Sequence, residues 1–158
     1  MYTAWLPDPD ATARLGQGLA SAIRRAFPPE GLTLWLRGPL GAGKTGVAQG
    51  IAAGLGVVGP VPSPTFILVA EYLDARPPIQ HVDLYRLTRA DEAENLGIAD
   101  QIPGGYLWLV EWPERAPELW PADRLELDLE LEASGRSARI VATGPNSARV
   151  LALVEPAC

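Results

Sequence analysis

The chain has 158 residues, enough for one domain, and its 47 % hydrophobic and 20 % charged content is globular, which excludes a disordered or fibrous chain. Its net charge of −6, without any basic stretch, disfavours independent binding of nucleic acid through phosphate neutralisation, so we expect any RNA contact to be indirect, through a protein partner. No apolar run is long enough to cross a bilayer, the first residues do not resemble a secretory signal, and the single cysteine, Cys158, permits no intramolecular disulfide. We therefore expect a cytoplasmic protein with no membrane and no disulfide partner.

The first third of the chain predicts a helix, a strand and a second helix. Apolar residues at helical spacing indicate an amphipathic helix over residues 10–26, with Asp10 as its cap. Residues 32–36 are apolar at nearly every position, which is typical of a strand covered on both faces. The strand runs into Gly38, and helical spacing returns over residues 45–55.

The remainder of the chain predicts further strands, with a short helix between them. β-Branched and aromatic residues indicate strands over residues 67–73, 79–85 and 106–112, and residues 91–96 a short helix. Leucines alternate with acids from Leu125 to Glu132, as in a strand with one solvated face. A return strand over residues 137–142 completes a hairpin, and residues 146–154 indicate a closing helix.

Between the first predicted strand and the second helix lies the segment Gly38-Pro39-Leu40-Gly41-Ala42-Gly43-Lys44-Thr45, which has the spacing of a P-loop. Its glycines allow successive backbone N–H groups to surround a phosphate, and the helix that follows adds the positive end of its dipole. Lys44 would reach the β and γ phosphates, and the Thr45 hydroxyl would ligate Mg²⁺. The motif in this context predicts a nucleotide-binding protein.

Lys44 is the only lysine among 13 lysines and arginines. Arginine replaces lysine on a solvated surface at little cost, but its planar guanidinium does not fit where a compact ammonium is needed. The single exception indicates that Lys44 has a chemical role that arginine cannot perform. Guanine-specific P-loop proteins usually carry an Asn-Lys-x-Asp box, which would need a second lysine, so the sequence favours adenine.

A P-loop enzyme also needs a carboxylate at a strand end to hold Mg²⁺ or its water ligands. Asp83 and Glu111 each follow an apolar run, and the sequence leaves open which of them ligates the metal. Thr65, in Ser63-Pro64-Thr65-Phe66, is similar to the switch threonine of P-loop ATPases and GTPases, although a simple β-turn is the alternative. We interpret His81, the only histidine, as a structural strand residue.

The five tryptophans are by default core residues, with the vicinity of the base as an alternative for Trp112 beside Glu111. The order of elements predicts one P-loop NTPase domain over residues 1–158. Its expected fold is an α/β three-layer sandwich, with a mainly parallel sheet and an antiparallel C-terminal hairpin extension.

Six motifs together resemble the TsaE family, also called YjeE, in order and spacing. They are Gly41-Ala-Gly-Lys-Thr45, Ser63-Pro-Thr-Phe66, His81-Val-Asp-Leu-Tyr-Arg86, Glu94-Asn-Leu-Gly97, Glu111-Trp-Pro-Glu-Arg115 and Gly135-Arg136. The resemblance covers residues 10–142. It implies a bacterial P-loop ATPase required for threonylcarbamoyladenosine formation on the tRNA adenosine next to the anticodon. It also implies docking on a TsaB–TsaD complex that performs the transfer, and weak ATP hydrolysis by the isolated protein.

The resemblance also implies roles for individual residues. Lys44, Thr65, Asp83 and Glu111 would be catalytic, with Thr65 as the switch and Asp83 acting either directly or through the metal's other ligands. Mg²⁺ would be held by Thr45 and Glu111. The residues that would contact or lie near ATP are Leu40, Gly41, Ala42, Gly43, Lys44, Thr45, Gly46, Glu114 and Arg136. Arg86 and Arg115 would either balance phosphate charge or form ordinary salt bridges.

The sequence departs from the family pattern at Gly46, where a second Thr or Ser is common, and at Ile67 and Ala70 after the Ser-Pro-Thr-Phe motif. A hydroxyl contact to the α phosphate is therefore expected to be missing. Two other functions remain open at this point. One is a nucleotide-dependent switch without significant hydrolysis, and the other is a small P-loop kinase acting on a metabolite.

Overall fold

A computed structural model of the chain describes residues 1–61, 69–89 and 91–156. The strands are β1 (Tyr2–Leu6), β2 (Leu32–Arg37), β3 (Val69–Tyr72), β4 (Ile79–Asp83), β5 (Leu107–Glu111), β6 (Leu125–Glu132) and β7 (Gly135–Ala142). The α-helices are α1 (Pro9–Ala26), α2 (Lys44–Gly54), α3 (Asp91–Glu94), α4 (Ile98–Gln101) and α5 (Pro145–Leu151). Three short 3₁₀ helices are Ile102–Gly104, Pro113–Arg115 and Pro117–Leu119. Within the described ranges, none of the helices has the length and apolar character that a membrane span requires.

The strands form one sheet in the order β1-β7-β6-β2-β5-β4-β3. Its four central strands, β6, β2, β5 and β4, are parallel, whereas β7, β1 and β3 are antiparallel to their neighbours. This confirms the predicted α/β fold with a parallel centre and an antiparallel hairpin. The hairpin continues the sheet directly, because β6 pairs in parallel with β2 and places Leu125 opposite Leu34.

Alternation of side chains along the strands gives the sheet two apolar faces. Leu32, Leu34 and Leu36 of β2 point to the face covered by α1, α2 and α5. Trp35 points the other way, into a second core with Trp108 that includes residues of α3, α4 and the 3₁₀ segments. Burial on both faces explains why β2 and β5 read as continuous apolar runs. The fold therefore has three layers, with the sheet between α1, α2 and α5 on one face and α3, α4 and the 3₁₀ segments on the other.

Helix α2 lies very close to α1. A Cβ atom added at Gly16 would lie 2.5 Å from the carbonyl oxygen of Val47, and one added at Gly50 would lie 2.4 Å from that of Ala13. The two backbones therefore touch where both helices carry glycine, and a larger residue at either position would force them apart. This contact fixes the helix that follows the P-loop against the rest of the fold.

Several local predictions were wrong in detail. The cap of α1 is Asp8, whose Oδ1 accepts a hydrogen bond of 2.8 Å from the Ala11 amide, and Asp10 lies in the first turn. Strand β1 was not predicted. Trp5, on that strand, is 45 % exposed and not a core residue. The predicted helix over residues 91–96 spans Asp91–Glu94 only, and α4 was missed.

The N-terminus of α5 is stabilised from a distant loop. Its cap position is Gly144, which has no side chain to accept a hydrogen bond. The Asp123 carboxylate accepts instead from the amides of Asn146 (2.8 Å) and Ser147 (3.0 Å). Partial burial raises the pKa of Asp123, but the hydrogen bonds from Ser147 and Asn146 outweigh this, so the net pKa is lowered.

We expect Asp123→Ala to lower the free energy of unfolding by about 1 kcal/mol at pH 7, the usual cost of losing a cap. Because the pKa of Asp123 is lowered on folding, its contribution is complete above the unfolded-state pKa of about 4 and is lost as the pH falls through the folded-state pKa. Urea unfolding of both proteins between pH 7 and pH 3 should show the difference shrinking with acidity. Asp74→Ala, at an exposed turn aspartate, is the control, and a pH-independent difference for Asp123→Ala would contradict the assignment.

Candidate functional site

The P-loop lies between the end of β2 and the start of α2, as the sequence predicts. Gly41 and Gly43 adopt φ angles of 79° and 105°, in the left-handed region that side chains disfavour. These turns bring the loop round to Lys44, the first residue of α2, whose early amides have no partner within the helix. Backbone N–H groups at a helix start attract a phosphate because they carry the positive end of the helix dipole.

The Lys44 ammonium is held between the loop and an aromatic ring. It donates a hydrogen bond to the carbonyl oxygen of Gly38 and lies 3.7 Å from the centroid of the Trp112 ring. Burial lowers the pKa of Lys44, and the negative charges of Glu111, Glu114 and Asp83 act in the opposite direction. The ammonium is thus shielded from solvent at the base of the loop, and acids surround it.

Trp112 itself has an unusual backbone. Its φ of 59° is the only positive φ outside glycine among the described residues, and it starts the 3₁₀ segment Pro113–Arg115. The ring packs against Tyr85 with centroids 5.0 Å apart. The αL conformation is uncommon for a bulky residue, and such outliers occur where surrounding structure enforces them. Here it turns the chain directly after Glu111 and places the indole over Lys44.

Two carboxylates meet at the ends of adjacent parallel strands. Asp83 ends β4 and Glu111 ends β5, the two residues are directly opposite each other in the sheet, and both are buried. Both carboxylates are on the face of the sheet that α1 and α2 cover. Residues an even number apart on a strand share a face, and Ile79 of β4 and Leu109 of β5 pack in the core beneath these helices. The Thr45 hydroxyl donates to Glu111 Oε1 over 3.3 Å, and the Tyr85 amide donates to Asp83 Oδ1 over 2.9 Å.

These groups surround a cleft with a volume of about 330 Å³. It is lined by Leu40, Gly41, Gly43, Lys44, Thr45, Asp83, Tyr85, Glu111 and Trp112. One hydroxyl and two carboxylates are hard oxygen donors, and Mg²⁺ in nucleotide sites is bound by one or two carboxylates together with the substrate phosphates. The residues present therefore fit a magnesium–nucleotide complex.

Four other predicted site residues, Ala42, Gly46, Glu114 and Arg136, are not among those that line this cleft. Arg136, at the start of β7, donates to the Gly41 carbonyl oxygen over 3.1 Å. Glu114 is exposed on the 3₁₀ segment, Gly46 faces Thr12 of α1, and Ala42 is buried beneath the loop. Thr65, with the rest of Ser63-Pro64-Thr65-Phe66 and Ile67, lies outside the described residues.

The two arginines with alternative interpretations differ in their surroundings. Arg115 packs over the Tyr85 ring at 5.6 Å and donates to the Leu87 carbonyl oxygen over 3.4 Å, so it braces the loop after β4. Arg86 is exposed beside Tyr85.

Sequence reasoning missed Tyr85 as a cleft residue and the pairing of His81 with Glu111. His81 Nε2 lies 2.7 Å from Glu111 Oε2, and the histidine is fully buried. One signal was available, since His81 and Asp83 are two residues apart on a strand and must share a face. That Glu111 would lie on the neighbouring strand at matching height required the sheet register.

The chain is similar to known proteins over most of its length. The family model described as threonylcarbamoyl adenosine biosynthesis protein TsaE matches residues 6–140. The chain is 42 % identical over 119 residues to the tRNA threonylcarbamoyladenosine biosynthesis protein TsaE of Synechocystis, covering 73 % of this chain and 72 % of that protein. It is 33 % identical to the protein of that name from Haemophilus influenzae, covering 89 % of each. The crystal structure of Bacillus subtilis YdiB superposes with a TM-score of 0.75 at 28 % identity, covering 97 % of this chain and 91 % of that one.

Proposed function

Because the chain belongs to the TsaE family, with a role in threonylcarbamoyladenosine modification of tRNA, we propose that it binds ATP with Mg²⁺ and hydrolyses it to support that modification. One observation carries the proposal: the P-loop lysine, a hydroxyl and two strand-end carboxylates line a single cleft. Both carboxylates are far along the chain from the P-loop, with Glu111 66 residues after Thr45, so only the fold brings them to it.

Each group has a role in phosphoryl transfer that follows from its place. The P-loop amides and the Lys44 ammonium bind the phosphates and stabilise the negative charge that develops on the γ-phosphoryl oxygens. Thr45 and Glu111 would hold Mg²⁺, which supplies charge neutralisation between the β and γ phosphates when bound. Asp83, oriented by the Tyr85 amide, is the carboxylate that orients the attacking water. Water adds to the γ phosphorus, the bond to the β–γ bridging oxygen breaks, and ADP, phosphate and a proton leave.

We assign the TsaB–TsaD complex as the partner and expect weak hydrolysis by the chain alone. The net charge of −6 argues against a direct grip on tRNA, so the contribution to modification passes through protein contacts. The P-loop lysine, hydrogen-bonded to Gly38 and covered by Trp112, must exchange these contacts for phosphate oxygens. A partner that favours this rearrangement would raise turnover.

The test is ATP turnover by the purified chain alone and after addition of TsaB, TsaD and tRNA. Stimulation by the complete set, together with formation of modified tRNA, is the expected result. Tight ATP binding without hydrolysis, even in a single turnover with all partners present, would favour a nucleotide-dependent switch. Transfer of the γ-phosphoryl group to a metabolite would favour a kinase.

Gly46 offers a separate prediction about affinity. A Cβ atom there would lie 3.4 Å from Thr12 Cγ2, an ordinary contact, so a larger side chain fits at this third residue of α2, directly after Thr45. We expect Gly46→Thr to lower the Kd for Mg²⁺–ADP about five-fold, because the new hydroxyl can bond to a phosphate oxygen at a net gain of about 1 kcal/mol.

Calorimetric titration with ADP and Mg²⁺ would measure the change. Gly46→Ala is the control without the hydroxyl; alanine is a stronger helix former than threonine, so helix propensity cannot account for tighter binding by the threonine variant. Equal affinities for the alanine and threonine variants would show that the hydroxyl makes no contact.

A further inference from the structure

His81 is a fully buried polar residue at the centre of a strand. It lies in the middle of β4, has no solvent exposure, and is covered by the helical layer. Its Nε2 atom bonds to Glu111 Oε2 at 2.7 Å, whereas Nδ1 is buried without a hydrogen-bond partner among the residues that the structure describes. An unsatisfied buried polar atom costs about 1–3 kcal/mol. An aliphatic residue would avoid that cost.

The bond has a defined direction. A carboxylate can only accept, so the hydrogen is on Nε2 and the ring donates to Glu111 Oε2. The other carboxylate oxygen, Oε1, accepts from the Thr45 hydroxyl. The two oxygens of Glu111 are thus distinguished, one directed into the sheet and one toward the P-loop.

The sheet determines this arrangement. Residue 81 is opposite Leu109 in the parallel pair of β4 and β5, so it is one diagonal step before Glu111 on the same face. An imidazole reaches across that diagonal, and the interior of the sheet prevents the ring from turning to solvent. The Glu111 backbone is fixed as well, because its carbonyl oxygen accepts from the Leu84 amide at 3.0 Å.

We propose that His81 is a positioning residue that fixes Glu111 so that only Oε1 faces the Thr45 hydroxyl and the cleft. The inference rests on the proposed function, in which Glu111 and Thr45 hold Mg²⁺. His81 touches neither the nucleotide nor the reacting atoms, and it acts by restricting the rotation of one carboxylate. Partners of this kind typically change metal affinity by about 10- to 100-fold when they are removed.

The experiment compares three substitutions of His81 in the full chain. In His81→Gln the amide nitrogen is as many bonds from Cβ as Nε2 is, so the donor to Glu111 is kept. In His81→Asn the amide is one bond shorter and cannot reach. His81→Leu removes the donor and keeps the volume.

Calorimetry would measure ADP affinity as a function of Mg²⁺ concentration, and ADP affinity without Mg²⁺ in the same proteins. Mg²⁺ is expected to increase ADP affinity, and the quantity compared is the Mg²⁺ concentration that gives half of this increase. We expect that concentration to be about ten-fold higher in His81→Leu and His81→Asn, whereas ADP affinity without Mg²⁺ should be unchanged. His81→Gln should need no more than about three-fold more Mg²⁺ than the unaltered chain. Circular dichroism and thermal unfolding would establish that each variant is folded.

A folded His81→Leu chain with unaltered Mg²⁺ dependence would overturn the proposal, as would a folded His81→Gln chain as impaired as His81→Leu. Failure of the proposed function gives a different result, in which the unaltered chain binds ADP equally with and without Mg²⁺. A double-mutant cycle with His81→Leu and Glu111→Leu, which removes the acceptor as well, followed by urea unfolding without ligand, tests the bond in either case. Additive effects would overturn the pairing itself.

Discussion

Replacing Lys44 by alanine is expected to lower the rate of ATP hydrolysis by at least about 100-fold while leaving the fold intact, because it removes the cation that faces the transferring phosphoryl group. The stability effect should be small, since the variant loses the hydrogen bond to Gly38 but also loses a charge that is costly to bury. Alanine is in addition a strong helix former at the start of α2.

Lys44→Arg is the informative companion because it keeps the charge. The ammonium occupies a narrow position 3.7 Å from the centroid of the Trp112 ring, beneath the loop. A planar guanidinium is larger and cannot take this position without moving the ring or the loop. We expect the arginine variant to lose hydrolysis as well, which would explain a lone lysine among twelve arginines as a geometric requirement.

Single-turnover hydrolysis and ADP titration of both variants, with thermal unfolding as the check on folding, would measure these effects. Hydrolysis by Lys44→Arg close to that of the unaltered chain would show that charge alone suffices. Unchanged hydrolysis in Lys44→Ala would remove the basis for a P-loop mechanism.

Glu111→Gln is expected to separate stability from activity. Two buried carboxylates, Asp83 and Glu111, are opposite each other at the ends of β4 and β5, and their mutual repulsion is unfavourable in the protein without metal. Neutralising Glu111 relieves this repulsion but also removes a negative charge that favours the Lys44 ammonium, and a glutamine oxygen can still accept from His81, so the free energy of unfolding of the ligand-free chain should change by no more than about 1 kcal/mol. Hydrolysis supported by Mg²⁺ should fall by at least about 100-fold, because a glutamine oxygen is a far weaker metal ligand than a carboxylate.

Urea unfolding without ligand and ATP turnover with Mg²⁺ would measure the two effects in one set of proteins. Glu118→Gln is the matched control, since Glu118 is exposed on the 3₁₀ segment Pro117–Leu119 and outside the cleft. A Glu111→Gln chain that is largely unfolded under the conditions of the activity assay would mean that the carboxylate is structural.

The sequence could predict the P-loop and the two strand-end carboxylates because their signals are local. The P-loop depends on glycines at fixed spacing, and Asp83 and Glu111 follow apolar runs that only buried parallel strands explain. The contacts between these residues depend on register, which a single chain does not display. Thus the bond between His81 and Glu111 and the contact of Arg136 with Gly41, 95 residues apart, were not predictable.

The prediction errors have physical causes as well. Strand β1 is only five residues long and lies at the edge of the sheet, so one of its faces is only partly buried. Its sequence, Tyr-Thr-Ala-Trp-Leu, does not alternate clearly between apolar and polar residues. Asp8 and Asp10 are both good capping residues. Proline is favoured at the first helical position, so the proline between them indicates a helix that begins at Pro9 and is capped by Asp8. Trp5 is apolar enough to predict burial, but its strand places it on the solvated face beside Ser137.

The strand order also constrains how the protein is made. Within the part of the chain that the structure describes, β1 pairs only with β7, with Tyr2 opposite Ile140, and β6 separates that pair from the P-loop strand β2. During synthesis β1 therefore waits for almost the whole chain before it can pair, and the ribosome must release β7 before this side of the sheet can close. Until β6 has been made and has paired with β2, the backbone groups along that side of β2 have no partner, and an unpaired edge of this kind can pair with another chain.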